Sequence, residues 1–297
     1  MSAFNAELYI ERAILSLLAQ DFNNFELIIV DDGSTDSTSY KIQNFQDKRV
    51  RLIKQQNQGI TKALNNGLSF ARGQWIARHD ADDFSIFSRF NNQVDFLNQN
   101  PSIELLGTSC FIQPSKHGII NEIFKYPESH YDIIKAFSYY NPFVHGTVLI
   151  KRTLLENYGG YNENYPYVQD YELWSRLIHK TFVHNLSKPL YVRTVHDQSS
   201  QKNINKQKIF QELSNHYNDY VKPKFLFDVT EDEILHIHNI NFYPLLIFPY
   251  HEKTLISKTY YKMARVAKKF NLSYIKYLML AFFYNPLFFT SKFFYNK

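Results

Sequence analysis

Over the first 110 residues, short apolar runs alternate with amphipathic segments, and two of the runs end directly in clusters of aspartate. Phe25 to Val30 reads FELIIV and passes at once into Asp31-Asp32-Gly33-Ser34. A short, mainly apolar run of this kind suits a strand buried on both faces of a parallel sheet better than an alternating surface strand. Val50 to Lys54, Gln74 to Arg78 and Ile103 to Gly107 supply further strands, and His79-Asp80-Ala81-Asp82-Asp83 closes the second of these. Glu7 to Gln20, Ser37 to Phe45, Gly59 to Ala71 and Phe87 to Gln99 read as the intervening helices, the last stopped by Asn100-Pro101. This spacing predicts an α/β domain with a mostly parallel central sheet flanked by helices.

The opening Met1-Ser2-Ala3-Phe4-Asn5 leads straight into a helix, so the first strand of such a sheet is expected to be missing or reduced to a stub. Beyond residue 110 the pattern is less regular. Gly146 to Ile150 reads as a strand, and Asp170 to His179 as a helix whose acidic end comes first, which suits the helix dipole. A boundary is expected between Val195 and Lys206, dividing a catalytic domain (1–200) from a helical, basic, aromatic extension (201–297).

Charge sharpens that division. From His251 to Lys297 nine Lys or Arg face a single acid, Glu252, although the whole chain carries only +5. Such a tail points to an anionic surface, either nucleic acid or lipid headgroups. Its most lipophilic stretch, Tyr274 to Phe289, is interrupted by Lys276, Asn285 and Pro286 and falls short of the roughly 20 apolar residues that span a bilayer. The single cysteine, Cys110, excludes an internal disulfide. No secretory signal opens the chain, and the phosphate-loop, HExxH and GxSxG patterns are absent from it.

The aspartates carry the chemistry. Asp80, Asp82 and Asp83 are hard oxygen ligands suited to Mn²⁺ or Mg²⁺, and a cation would relieve their mutual repulsion. The bland alternative is a turn capping a helix that starts near Phe84. Asp31 and Asp32 sit at another strand end, where open α/β sheets hold ligands, and can accept hydrogen bonds from a base or ribose. Asp170 can either cap its own helix or abstract a proton from a hydroxyl.

In combination these segments resemble the family 2 glycosyltransferases, which have the GT-A nucleotide-diphospho-sugar transferase fold. The resemblance is carried by NAELYIERAILSLLAQDFNNFELIIVDDGSTDST (5–38), NQGITKALNNGL (57–68), ARGQWIARHDADD (71–83) and YGGYNENYPYVQDYELWSRL (158–177), in family order. It implies that Asp31 and Asp32 lie in the acidic turn that contacts uracil or another base, and its ribose, of a nucleotide-sugar donor, a UDP-sugar before others. It implies a DxD motif in which Asp82 ligates the metal and Asp80 lies nearer the ribose or diphosphate. Asp170 matches the catalytic base of the family's usual Glu-Asp pair, with Gln169 in place of the Glu. His196 matches, more loosely, a loop residue that touches the metal-diphosphate, and Lys62, Arg78 and His145 are implied neighbours of the donor.

The implied reaction is inverting transfer to a saccharide or lipid-linked saccharide acceptor in bacterial polysaccharide or lipopolysaccharide assembly. The implied setting is the cytoplasm, at the inner face of the membrane. Family members begin with an apolar strand leading to a Pro-x-Tyr-Asn-like segment, of which Ser2-Ala3-Phe4-Asn5 matches only the end. Met1 is therefore expected to be an internal methionine of a longer product, or the chain to be a truncated one; a chain that truly starts there is expected to have weak or no activity. Two alternatives stay open: a catalytically silent nucleotide-sugar- or carbohydrate-binding protein, and a membrane-associated assembly protein acting through its tail. Residues 251–297 are expected to lie on an anionic membrane surface rather than to bind nucleic acid.

Overall fold

A computed structural model describes residues 1–114, 120, 122–137, 140–195, 206–221, 259 and 262–264. The alternation read from the sequence is present. Strands β1 (Ser2–Ala3), β2 (Leu27–Asp31) and β3 (Val50–Lys54) form a parallel three-stranded sheet in that order. Helices α1 (Ile10–Leu18) and α2 (Thr38–Gln43) make the connections, and α3 (Ile60–Ser69) follows β3. β1 is the expected stub, two residues pairing Ser2 with Val30 and Ala3 with Asp31.

A second sheet has the order β4 (Trp75–Ala77), β8 (Leu149–Lys151), β6 (Ile103–Pro114), β9 (Phe182–Val195) and β5 (Phe84–Ser85), with β7 (Glu122–Phe124) also paired to β6. The longest ladder, β6 with β9, is parallel, as are both ladders of the first sheet; the short pairings of β4, β5, β7 and β8 are antiparallel. Register shifts fall between Thr108 and Cys110, opposite Leu186 to Tyr191. Pro189, which has no N–H to give the ladder, sits within that irregularity, and such a bulge re-aims the side chains that follow it.

Three boundaries differ from the sequence reading for local reasons. Phe84 begins a strand rather than a helix, and α4 starts only at Arg89 (Arg89–Gln99), so the aspartates before Phe84 do not cap a helix. The fourth strand runs on to Pro114 because β9 covers its whole length. The segment read as a strand from Gly146 opens with a 3-10 turn, His145–Thr147, before β8. The chain is completed by α5 (His130–Phe137), α6 (Arg152–Tyr158), α7 (Gln169–Leu177), α8 (Lys206–His216) and a short π-helical turn, Tyr217–Val221.

Two large hydrophobic clusters, with two smaller ones around Leu106 and Tyr191, support this frame among the described residues. One packs α1 and β2 against Phe84, Ile86, Phe111 and Val192, and it includes Met263 and Ala264 from beyond residue 250. There the Thr259 hydroxyl accepts the Phe87 amide at 3.3 Å, and the Lys262 ammonium lies 4.1 Å from the centre of the Phe87 ring. Met263 is fully enclosed, so Met263→Ala is expected to lower stability by about 2–5 kcal/mol, measured by chemical denaturation. The other core gathers α5, α6 and α7 with Leu213 of α8. α7 is buried nearly all round because α8 covers a face that would otherwise meet water.

Candidate active site

The turn after β2 is held by its own aspartates. The Asp31 carboxylate accepts the Ser34 amide at 3.0 Å and a short hydrogen bond from the Ser39 hydroxyl. Asp32 reaches across to α3, accepting the amides of Gln58 and Gly59 at 2.8 and 2.9 Å and the Gln55 side chain at 2.8 Å. A carboxylate at a helix N-terminus satisfies donors that the helix leaves orphaned. Gly33 has φ +77°, and a side chain there would put its Cβ 2.8 Å from the Asn57 nitrogen. Both acids are buried, so the turn presents mainly backbone and small side chains at this strand end.

The aspartates after β4 stand among arginines. Arg78 is buried and donates from Nη2 to Asp80 Oδ1 at 2.6 Å; it also bonds the His79 carbonyl. Arg89, wholly enclosed, donates to the carbonyl of Arg78 at 3.0 Å and to Ser85 and Gln93, fixing the strand end from below. Arg12 of α1 donates to the Asp82 carbonyl and the Thr194 hydroxyl, both at 2.7 Å, and to Gln113 at 2.6 Å. Asp83 points inward and accepts the Thr194 amide at 2.7 Å. Burial, with the charges of Asp82 and Asp80, pushes the Asp83 carboxyl well above the usual carboxylate range. Asp80 is instead held below that range, despite burial, chiefly by the Arg78 guanidinium. The Tyr191 hydroxyl ties the loop together, accepting the Asp80 amide at 3.1 Å beside Asp83.

Asp170, the second residue of α7, faces the same region. Its oxygens accept the Tyr171 amide at 2.8 Å and the Asn141 side-chain amide at 2.9 Å. Burial raises its pKa above the usual 3.8, and the negative charge of Asp80 adds to the rise. Tyr161 links the two acids. It interacts with Arg78 and lies in the field of both Asp80 and Asp170, while its hydroxyl is 2.7 Å from His145 Nε2. Asn65 of α3 clamps the Tyr161 backbone from both sides, at 2.8 and 2.9 Å. His145 is kept neutral, its pKa driven well down by burial and then by Arg78.

The structure thus gathers Arg78, Asp80, His145 and Asp170 into one electrostatic group with Asp82 and Asp83 alongside, while Asp31 and Asp32 form their own hydrogen-bonded turn. Lys62, about half exposed, makes a 3.9 Å ion pair with Glu163. His196 lies outside the described residues. Among the described residues no three His, Cys, Asp or Glu side chains are grouped to hold a metal ion. The chemistry of Asp80 and Asp82 nevertheless fits a hard divalent cation: both are partly open to solvent beside a buried third acid whose proton affinity their charges raise. Tyr161, Tyr191, Asn141, Arg12 and Arg89 were not picked out from the sequence. The one local signal was Arg89 with Gln93, two polar side chains one helical turn apart on the inward face of α4.

Strand-end acids facing a helix-borne carboxylate across an open α/β sheet define the GT-A class of nucleotide-diphospho-sugar transferase folds. The family model for glycosyl transferase family 2 matches residues 1–159, and the chain belongs to this family. It is 35% identical over 186 residues to an uncharacterized glycosyltransferase of Haemophilus influenzae, covering 59% of this chain and 58% of that one. It is 31% identical over 184 residues to the Escherichia coli UDP-Glc:alpha-D-GlcNAc-diphosphoundecaprenol beta-1,3-glucosyltransferase WfaP, covering 61% of this chain and 69% of WfaP. The fold matches that of Staphylococcus aureus TarS 1-349 in complex with UDP-GlcNAc, with TM-score 0.61, 17% identity, and coverage of 98% of this chain and 89% of TarS 1-349. The match to the Haemophilus protein spans less than two thirds of that relative.

Proposed function

We propose that the protein is an inverting glycosyltransferase that moves a sugar from a UDP-sugar to a saccharide or lipid-linked saccharide acceptor. The observation that carries this reading is the shared electrostatic neighbourhood of Asp80 and Asp170, two acids 90 positions apart in the sequence, one at a strand end and one at a helix start. In this reading Asp170 takes the proton from the acceptor hydroxyl, and that oxygen attacks the anomeric carbon. The bond from that carbon to the diphosphate breaks on the opposite face, and the diphosphate leaves with the electron pair. Asp80 and Asp82 would hold Mn²⁺ or Mg²⁺, and the ion would supply positive charge to the leaving diphosphate. Arg78 keeps Asp80 ionised and oriented. Asp31 and Asp32 shape the pocket for base and ribose, with Lys62, His145 and the 196 loop nearby.

The WfaP name, with its UDP-glucose donor and diphosphoundecaprenol acceptor, supports a lipid-linked acceptor of polysaccharide or lipopolysaccharide assembly here. A lipid-linked acceptor supports work in the cytoplasm at the inner face of the membrane. No helix of the described residues is long and apolar enough to cross a membrane. In this reading residues 1–200 carry the site, α8 braces it, and the basic, aromatic sequence of 251–297 meets anionic lipid; a nucleic-acid partner has no support in the acid-lined site.

The test is a screen of nucleotide-sugars for Mn²⁺-dependent hydrolysis, followed by acceptor trials with the preferred donor. Turnover of a UDP-sugar that stops on chelation supports the reading; turnover of no nucleotide-sugar, with or without acceptor, sinks it. Because Asp170 must be ionised to act and its pKa is raised, kcat is expected to fall as pH drops, with the acid limb above pH 3.8. A rate that stays flat down to that pH contradicts the role of Asp170.

A further inference from the structure

The start of α7 is capped only in part from within, by Asp170, which takes the Tyr171 amide. Its N-cap position is Val168, whose side chain accepts no hydrogen bond. A helix leaves its first amides without intrahelical partners, and a neighbouring Ser, Thr, Asp or Asn commonly takes one of them. Here the amides just ahead of the first helical residue find their partner on another helix. Glu212 of α8, itself buried, accepts the Tyr167 amide at 2.9 Å and the Val168 amide at 3.1 Å through the same oxygen, Oε2. These two amides lie immediately before Gln169 and Asp170.

The rest of α8 and the turn after it grip the same helix. His216 Nε2 is 2.5 Å from the Ser175 hydroxyl, and its ring packs 4.2 Å from that of Tyr171. The Tyr220 hydroxyl donates to the buried Glu172 at 2.9 Å, and Tyr165 donates to Asp219 at 2.8 Å. Glu172 in turn orients Arg176, which holds the carbonyls of Tyr158 and Gly160 at the base of the loop bearing Tyr161. Of these contacts, the Glu212 bond acts closest to the reacting group. It sets the entry of the chain into α7 two residues before Asp170, so it fixes where the carboxylate stands relative to the donor.

We infer that Glu212 is a positioning residue for transfer: by bonding the chain at the start of α7 from α8, it holds Asp170 where its carboxylate can take the proton of the acceptor hydroxyl. This inference rests on the reading of Asp170 as the base. Misplacing a catalytic group by about 1 Å can cost on the order of 100-fold in rate. Donor binding should be indifferent, because Glu212 touches the helix start and not the aspartates after β4.

The test compares Glu212→Ala, Glu212→Gln and Asp170→Asn in the full chain. UDP affinity is measured by calorimetry with Mn²⁺ present, and steady-state transfer uses the donor found by the screen. Glu212→Ala is expected to lower kcat at least tenfold, with donor KM and UDP affinity within about twofold of the unaltered protein. Glu212→Gln, whose amide oxygen can still accept both N–H groups, is expected to recover most of kcat. A kcat within twofold for Glu212→Ala overturns the inference, as does a loss of kcat and UDP affinity together that Gln does not rescue. If Glu212→Ala does not fold, Glu212→Gln decides alone: near-normal kcat upholds hydrogen-bond acceptance as the essential property, and a tenfold loss overturns it. Asp170→Asn separates the two claims. If it leaves transfer intact, the base assignment fails; if it abolishes transfer while Glu212→Ala does not, only the positioning role fails.

Discussion

Asp170→Asn is expected to lower the transfer rate by about 10³-fold or more while leaving UDP affinity within about twofold. The substitution keeps the size and the hydrogen-bonding reach of the side chain, so the Tyr171 amide and Asn141 contacts can persist in altered form. What it removes is the basicity of the carboxylate that receives the acceptor proton. Relief of repulsion from Asp80 works in the same direction as retained binding, since one negative charge leaves the vicinity of an anionic ligand. Steady-state kinetics beside calorimetry separates the outcomes. A parallel fall in rate and affinity would mean that Asp170 serves donor binding or folding rather than proton transfer. Loss of turnover with binding intact would also exclude a silent nucleotide-sugar-binding protein, since the unaltered protein would then be the active form.

Gly146→Ala is expected to damage both stability and activity, although residue 146 is a buried turn position with no chemistry of its own. A Cβ there would stand 2.2 Å from the Tyr191 hydroxyl oxygen and 2.4 Å from Cζ of the same ring. Tyr191 cannot step aside freely. It is fully buried, with the Arg89 guanidinium 5.3 Å from its ring centre and the His79 ring 5.2 Å away. Overpacking of this kind costs about 1–3 kcal/mol, and contacts this short place the substitution near the upper end. The displaced tyrosine also releases the Asp80 amide, so kcat is expected to fall by at least tenfold in the protein that remains folded. Gly67→Ala in α3 is the comparison, because its Cβ meets only a Val30 methyl at 3.3 Å. Its stability change should stay within about 1 kcal/mol, helix propensity offsetting the tight contact. Thermal denaturation of both variants checks the pair.

The legible parts of this molecule are those specified by neighbours in sequence. The FELIIV run leads into β2 because its consecutive apolar residues Leu27 to Val30 need cover on both faces, and β3 falls on the residues read for it, Val50 to Lys54. The DADD loop and the helix bearing Asp170 were likewise visible, since each is a short motif attached to a periodic segment. Contacts between distant segments were not. Nothing near Tyr191 marks it as the clasp of a loop 111 positions earlier, and Glu212 reads locally as one acid on an ordinary polar helix. The 14-residue span of β9 was hidden because Ser187, Lys188 and Pro189 interrupt the apolar pattern where the register shifts. Arg12 illustrates the same limit: nothing in the local pattern of α1 marks it, yet it is buried and holds the Asp82 carbonyl. Long-range pairing decides these positions, and local periodicity carries no trace of it.

The most direct measurement is a crystal structure of the Asp170→Asn protein with Mn²⁺ and the UDP-sugar chosen by the screen. The account predicts the diphosphate beside Asp80 and Asp82, the metal on Asp82, and the anomeric carbon exposed toward residue 170 on the side opposite the departing phosphate. A donor whose sugar turns away from residue 170, or whose diphosphate lies apart from the Asp80–Asp82 loop, would contradict it.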